Sequence, residues 1–316
     1  MISVIIVFKK ESNYLEKCLK SLERQLNKNF EVILVSENKI SGKINYDFPI
    51  KEFKTEEISP GIKRHIGVFH SRGEDLAFID DDAYPNENWT TIIEENLKLK
   101  NVITGPAISP DDENYSARKN LYSSIYFSKF FGGSSHRYLK NSEILMVDDF
   151  ASVNFAIKKK VYEKSCGFNV EYWPGEDTYL ANDLIFNQDE KIYHIPELLV
   201  KHERRDSFIN FVKQIFRYSY TRGFFFKKKI KNSIKFKYTL PSLLLSFFII
   251  GIIFKSILIL KLFFIYAAII FLGSFEIYAK MKKKYMIFSF LFIIISHLIY
   301  GFGFLKGVIS SDYKKI

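Results

Sequence analysis

The chain has 316 residues, 47% of them hydrophobic, which is enough to bury a substantial core and excludes disorder as the main state. A formal charge of +11 would fit nucleic acid, but residues 207–316 carry 18 Lys and Arg against 2 Asp and Glu, whereas residues 1–206 carry 28 against 33. The basic excess belongs to the apolar end, where a membrane accounts for it, so membrane lipids are expected as partners and nucleic acid is not.

The opening "MISVIIVFKKESNYL" has no basic leader, and its apolar run of about seven residues is shorter than a signal peptide's hydrophobic region. It reads as a strand, "ISVIIVF". A helix is expected from Asn13 to Leu26, with Leu15, Cys18, Leu19, Leu22 and Leu26 on one face. "FEVILVS" forms a second strand, Phe30 to Ser36, and "IKEFKT" a third; Gly61 to Ser71 has helical spacing, and "DLAFI" runs as a strand into Asp80, Asp81 and Asp82. This alternation is that of α/β architecture. Ligands of open α/β sheets collect outside the carboxyl ends of the strands, where Glu37 and the three aspartates fall. Adjacent carboxylates behind a buried strand are costly unless compensated; a bound cation is one compensation, and a solvated acidic turn is the alternative. Two cysteines, Cys18 and Cys166, make neither a disulfide framework nor a metal cluster.

Beyond Asp206 the composition changes. Residues 207–238 mix aromatic and basic residues at helical spacing, as in a helix lying in a membrane interface, the alternative being an ordinary amphipathic helix covering the domain. Apolar stretches follow from Leu240 to Phe254, Leu262 to Phe275 and Met286 to Leu305, and three spans are expected within residues 239–310, with Lys255, Lys261 and Glu276 at the interfaces. "KKKIKNSIKFK" before the first span and "KMKKK" between the second and third lie on one side, which the positive-inside rule makes cytoplasmic. Lys255 and Lys261 then occupy the outer turn. A multi-pass protein of the cell membrane with its globular domain in the cytoplasm is the expectation.

Three further stretches occur in a telling order: "GIKRHIGVFHSRGEDLAFIDDDAYP", "ASVNFAIKKKVYEKSCGFNVEYWPGEDTYLANDL" and "VKHERRDSFINFVKQIFRYSYTRGF". Together, over about Ile2 to Gly223, they resemble the family 2 glycosyltransferases, inverting enzymes that move a sugar from a nucleotide diphosphate to an acceptor. The resemblance implies a GT-A, Rossmann-like nucleotide-diphospho-sugar transferase domain over residues 1–206, followed by the interfacial helix and the transmembrane helices. It implies Mg²⁺ or Mn²⁺ as cofactor, for which Asp80 and Asp82 offer hard oxygen ligands, and which would bridge the donor's diphosphate to a domain of net charge −5.

The same resemblance assigns roles residue by residue. Asp82 makes the direct metal contact, Asp80 lies beside it, and Asp81 lies near the donor's sugar or ribose. His202, otherwise readable as a lone structural histidine, supplies a further metal or diphosphate contact. Glu176 and Asp177 would by spacing alone merely complement a helix dipole; the resemblance makes Asp177 the base that takes the acceptor's proton, with Glu176 orienting the acceptor and Trp173 stacking on a sugar ring or simply packing. Glu37 matches an acidic residue that meets the nucleotide base, although "VSEN" departs from the usual pair of aspartates, and "IIVFKKE" leaves only backbone contacts at Val7 and Phe8. Arg64 meets a phosphate or supports the aspartates, a surface ion pair being the alternative. Gln214, Arg217 and Tyr218 form a Q-x-x-R-Y element that closes over the acceptor or diphosphate; Tyr218, where processive members have Trp, favours addition of a single sugar. Loops at residues 104–114 and 132–143 are expected to shape the donor pocket.

The leading expectation is an inverting transferase acting on a lipid-linked or glycan acceptor in polysaccharide or glycoconjugate synthesis. The alternatives are a polyprenyl-phosphate sugar synthase and a catalytically silent membrane scaffold of the same fold.

Overall fold

The computed structural model describes residues 1–38, 46–110, 117–127, 137–138, 143–204, 207–281 and 287–314. Its contacts divide the chain into two compact units, one formed by Met1–Ile108 and Leu139–Glu203, the other by Ser109–Tyr138 and Arg204–Ile316.

The first unit is built on strands β1 (Ile2–Phe8), β2 (Phe30–Ser36), β3 (Ile50–Lys54) and β4 (Asp75–Asp80), which run parallel in the order β3-β2-β1-β4. Every residue of β1 and β2 is buried, as befits strands covered on both faces. Helix α1 (Asn13–Glu23) starts at Ser12, whose hydroxyl accepts from the Leu15 N–H at 3.2 Å, and buries Leu15, Cys18, Leu19 and Leu22. It ends before the expected Leu26, which is 73% exposed. The cause is Gln25, whose buried amide donates to the Asn86 carbonyl and accepts from the Thr90 N–H, tying the chain to the next segments instead of continuing the helix.

Helix α2 (Pro60–Phe69) begins with a proline at its first turn, where the missing N–H costs nothing. After β5 (Ala83–Pro85) come α3 (Trp89–Leu99), β6 (Val102–Thr104) and β7 (Ala107–Ile108); α4 (Ala117–Phe127) belongs to the second unit. The main sheet continues beyond β4 through β9 (Asn154–Lys158) and β6 to β10 (Ile192–His194) and β8 (Leu145–Val147), giving eight strands, with β9 antiparallel to both neighbours. Helices α5 (Lys159–Lys164) and α6 (Glu176–Phe186) follow β9. A second sheet of three strands, β5-β11-β7, includes β11 (Val200–His202) and pairs His202 with Ala83, directly after the aspartates. One core face packs α1 and α3 around Trp89; the other packs Phe78, Phe155 and Phe168. At the amino-terminal edge Glu31, 3% exposed, accepts from the Ser3 hydroxyl, the Arg72 N–H and the Lys51 ammonium.

In the second unit α7 (Phe208–Lys227) ends at Lys228; Lys229 turns with φ 57° and a short 3-10 turn at Lys231–Ser233 leads into α8 (Phe236–Ile253). The amphipathic segment is thus a helix and a turn, not one continuous helix. Helices α9 (Ile257–Met281) and α10 (Ser289–Ile309) follow. Among the described residues three helices are long and apolar enough to cross a membrane, Phe236–Ile253, Ile257–Ala279 and Ser289–Ile309. Lys255, at φ 48°, forms the turn between the first two, but Lys261 lies inside α9, because the turn is shorter than the hydropathy pattern implied. Residues 282–284 of "KMKKK" lie outside the described residues.

Helix α10 packs against α7 through small residues on both. A Cβ on Gly303 would meet the Ser219 hydroxyl at 2.0 Å, one on Gly307 the Tyr220 carbonyl at 2.1 Å, and one on Gly223 the Phe304 carbonyl at 2.0 Å. Ser219 and Gly223 on one helix, and Gly303 and Gly307 on the other, are each four apart, the spacing that lets apolar helices approach backbone to backbone. Tyr122 of α4 stacks on Phe211 of α7, ring centres 5.1 Å apart, and meets Phe292 of α10 edge-on at 5.4 Å.

Two outcomes follow from these contacts. Replacing Gly303 with Leu forces side-chain atoms into the α7 backbone and is expected to destabilise the protein by about 1–3 kcal/mol or more, seen as a lower midpoint of thermal unfolding in detergent; an unchanged midpoint would refute the helix contact. Burial alone would raise the Glu31 pKa, but its bonds from Lys51, Arg72 and Ser3 overcome this and hold it below the ordinary carboxyl range. Its stabilisation is therefore present above that range and is lost as pH falls through the depressed value. Glu31→Ala should cost about 2–4 kcal/mol near neutral pH, and the gap from the unaltered protein should narrow in acid.

Candidate active site

The register of the parallel strands sets the site. Val7 pairs with Val35 and with Asp80, and Phe8 with Ser36, so the carboxyl ends of β1, β2 and β4 lie side by side and bring Val7, Phe8, Glu37 and Asp80 to one edge of the sheet. The smaller sheet adds His202. Its Nε2 lies 3.1 Å from Asp82 Oδ1, and the Glu203 N–H donates to the Asp82 carbonyl at 3.1 Å, fixing the aspartate turn against β11. Ligand atoms of Asp80, Asp82 and His202 all fall within 4.8 Å of one another. Asp81, between the two aspartates in the chain, is half-buried.

Two carboxylates and an imidazole form a mixed oxygen and nitrogen donor set that fits a divalent ion of the Mn²⁺ kind, since carboxylates suit hard cations and imidazole suits the later transition metals. Electrostatics agree with the fit. Shielding from water pushes the Asp80 carboxyl above its ordinary range, opposed by Arg64 and reinforced by Asp82. A positive charge at this point relieves both effects.

Arg64 is not a surface residue: it is 5% exposed. Its Nη1 donates to Glu176 Oε1 at 2.8 Å and its Nη2 to Asp80 Oδ1 at 3.4 Å, while the guanidinium lies 4.8 Å from the centre of the Phe168 ring. Burial alone would lower the Arg64 pKa; Glu176 and Asp80 outweigh it and raise the value. One cation therefore joins the end of β4 to the first turn of α6. Gly175 enters that turn at φ 122°, a conformation that L side chains rarely adopt, and its N–H donates to Glu176 Oε2 at 3.1 Å. Glu176 is thus buried and committed to Arg64, whereas its neighbour Asp177 is only half-buried, with Oδ1 held by the Thr178 N–H at 2.7 Å. Trp173, also half-buried, precedes a cis peptide bond to Pro174.

Among the site neighbours, Lys63 and Asp149 have no counterpart in the sequence reading. Lys63, buried on α2, donates to the Phe8 carbonyl at 3.0 Å and to Glu37 Oε1 at 2.8 Å. Asp149, also buried, accepts from the Thr178 hydroxyl, and His65 bonds the Phe168 carbonyl through Nε2 at 2.7 Å. The available signal was the helix "PGIKRHIGVF", in which Lys63, Arg64 and His65 are the only polar side chains. In the second unit the Gln214 amide donates to the Tyr218 hydroxyl at 3.2 Å, and Arg217 lies between them on α7. Residues 111–114, 132–136 and 139–142 of the two donor loops lie outside the described residues.

A family model described as Glycosyl transferase family 2 matches residues 3–165. A relative from Methanococcus voltae, a dolichyl N-acetyl-alpha-D-glucosaminyl phosphate 3-beta-D-2,3-diacetamido-2,3-dideoxy-beta-D-glucuronosyltransferase, is 24% identical over 332 aligned positions covering 98% of each chain. Among solved structures, a mannosyltransferase from Pyrobaculum calidifontis in complex with GDP-Man and Mn²⁺ superposes with a TM-score of 0.64 at 14% identity, covering 98% of this chain and 88% of that one. GalNAc-T7, solved with UDP, GalNAc and Mn²⁺, reaches a TM-score of 0.50 at 13% identity, covering 72% of this chain and 51% of its own. These structural likenesses establish the GT-A type of fold.

Removing the cation that joins β4 to α6 should expose its importance. Arg64→Met leaves Glu176 buried without its counter-charge and is expected to cost about 3–5 kcal/mol of stability. The double replacement Arg64→Met with Glu176→Gln should recover a large part of that loss in denaturant unfolding. Equal losses in the single and double variants would show that the pair does not act as described.

Proposed function

The chain belongs to the family 2 glycosyl transferases, and from that premise we propose that it inverts the sugar of a nucleotide-diphosphate donor as it passes it to a hydroxyl of a lipid-linked acceptor, with a divalent cation, at the cytoplasmic face of a membrane. The observation that carries this reading is the meeting of Asp80, Asp82 and His202 at the carboxyl edge of the sheet, with Asp177 tied to the same edge through Glu176 and Arg64.

Asp80, Asp82 and His202 would hold the cation, Mn²⁺ fitting the donor set and Mg²⁺ being the other hard candidate. When bound, such an ion supplies Lewis-acid stabilisation of the charge that develops on the departing diphosphate. Asp177 is the more exposed carboxylate of its pair and acts as the general base: it takes the proton of the acceptor hydroxyl as that oxygen bonds to the anomeric carbon and the bond from that carbon to the phosphate oxygen breaks on the opposite face. No covalent sugar–enzyme intermediate is needed, so one base suffices. Glu176 acts through Arg64 and the α6 turn, orienting Asp177. Val7, Phe8, Glu37, Arg64 and Asp81 serve the donor; Trp173, Gln214, Arg217 and Tyr218 serve the acceptor.

The Methanococcus voltae relative, whose name carries a dolichyl-linked sugar phosphate, supports a lipid-linked sugar over a bare polyprenyl phosphate as acceptor. Lys227, Lys228, Lys229, Lys231, Lys235 and Lys237, gathered where α7 gives way to the first apolar helix, support the cytoplasmic orientation of that junction.

The test is release of nucleoside diphosphate and transfer of labelled sugar to extracted lipid-linked saccharides by purified protein supplied with Mn²⁺. Asp177→Asn is expected to lower kcat about 100-fold or more with nucleotide affinity retained, and Asp82→Ala to abolish Mn²⁺-dependent nucleotide binding. Full turnover by Asp177→Asn would remove the base assignment, and transfer confined to soluble acceptors would remove the lipid.

A further inference from the structure

The segment that joins α7 to α8 is a built arrangement of cations, not a string of surface lysines. Arg222, near the end of α7, donates through Nη1 to the Ser233 hydroxyl at 3.1 Å, and that buried hydroxyl donates to Oδ1 of Asn232, also buried, at 3.3 Å. The guanidinium lies 4.8 Å from the centre of the Tyr238 ring, in the first turn of α8, and the ring itself is buried. The ammonium groups of Lys235 and Lys237 approach the same ring, at 5.9 and 5.3 Å. Three cations from α7 and the start of α8 thus gather about one aromatic ring, whose quadrupole attracts each of them. From Ser207 to Phe275 the chain contains no Asp or Glu, while four exposed lysines fall between Lys227 and Lys231. Apolar side chains stand out among these charges, Ile234 being 47% and Phe236 72% exposed. Exposed apolar groups interleaved with cations suit the boundary between lipid head groups and acyl chains.

We propose that this junction is a binding site for the head group of an anionic phospholipid, with Arg222, Lys235 and Lys237 meeting its negative charge and Ile234 and Phe236 entering the acyl boundary. A guanidinium offers a phosphate its planar fork of donors, and the two lysines add point charges on stems long enough to follow the head group. A zwitterionic lipid carries the same phosphate together with a quaternary ammonium, which the three cations repel, so the site discriminates by net charge. This binding is separate from the transfer chemistry and needs only that the apolar helices meet a membrane. Its consequence falls on α7, whose end it anchors and whose earlier turns carry Gln214, Arg217 and Tyr218.

The experiment offers the full-length protein, in a neutral detergent, equal amounts of phosphatidylglycerol and phosphatidylcholine with identical acyl chains, and counts the lipids retained by native mass spectrometry. Phosphatidylglycerol is expected to be retained about fivefold or more over phosphatidylcholine, and the ratio should fall as salt is raised. The triple replacement Arg222→Gln, Lys235→Gln, Lys237→Gln should compress it to about twofold or less. Removing the same charge from the first unit, through Lys98→Gln, Lys160→Gln and Lys164→Gln, should leave it unchanged. The pair Lys235→Gln, Lys237→Gln keeps the Arg222–Ser233 bond and should fall between, which preserves a reading if the triple variant does not fold. A ratio near one in the unaltered protein, or equal loss in the two triple variants, overturns the site. Displacement of phosphatidylglycerol by an equal concentration of inorganic pyrophosphate would likewise overturn it, by showing a site for free phosphate groups instead of a lipid.

Discussion

One buried guanidinium organises the catalytic unit. Arg64 reaches from α2 to Asp80 at the end of β4 and to Glu176 in the first turn of α6, two carboxylates 96 positions apart in the chain. Its planar fork can hold both at once, which a point-charge ammonium could not do with the same geometry. Because Asp82 follows Asp80 by two residues and Asp177 follows Glu176 by one, the cation fixes the aspartate edge and Asp177 relative to each other. Arg64 pairs with Asp80 and Glu176 and Lys63 with Glu37, while His202 lies 3.1 Å from Asp82 on the β11 side.

The local part of this arrangement was legible in the residues. Near-continuous apolar runs, broken only by Ser3, Glu31 and Ser36, marked β1 and β2 to the residue, as expected of strands buried on both faces. Position at the carboxyl edge marked Asp80 and Asp82, and the ordered motifs pointed to His202 as their companion. What stayed hidden was long-range. Nothing near Arg64 in sequence announces Glu176, and from sequence the guanidinium was as readable as a surface ion pair. Lys63 was hidden for a related reason: a lysine in a helix normally faces water, and only the strand ends beside it, at Phe8 and Glu37, turn it inward. The end of α1 was misjudged because Leu26 continues the apolar spacing while Gln25, a polar residue, takes the buried place.

In the second unit, hydropathy found the three apolar helices, yet their packing is decided by residues that hydropathy scales treat as neutral. Ser219, Gly223, Gly303 and Gly307 let α7 and α10 approach at backbone distance, so contact between these helices relies on dispersion and shape, with little side-chain bulk between them. A polar link also ties two of the apolar helices, the Tyr266 hydroxyl lying 2.5 Å from His297 Nδ1 between α9 and α10. Such a bond constrains how those helices can rotate against each other.

The second unit is assembled from two separate lengths of chain, Ser109–Tyr138 and Arg204–Ile316, so the polypeptide passes between units three times. A conventional soluble truncation, cut just ahead of α7, would therefore not yield a clean catalytic fragment. It would strand α4 with the aromatic face of Tyr122 stripped of Phe211 and Phe292, leaving a sticky segment in the middle of the expressed chain. Anyone seeking a water-soluble version has to excise or redesign the inner stretch as well as the tail, and homologues that lose their membrane helices would be expected to have remodelled both together.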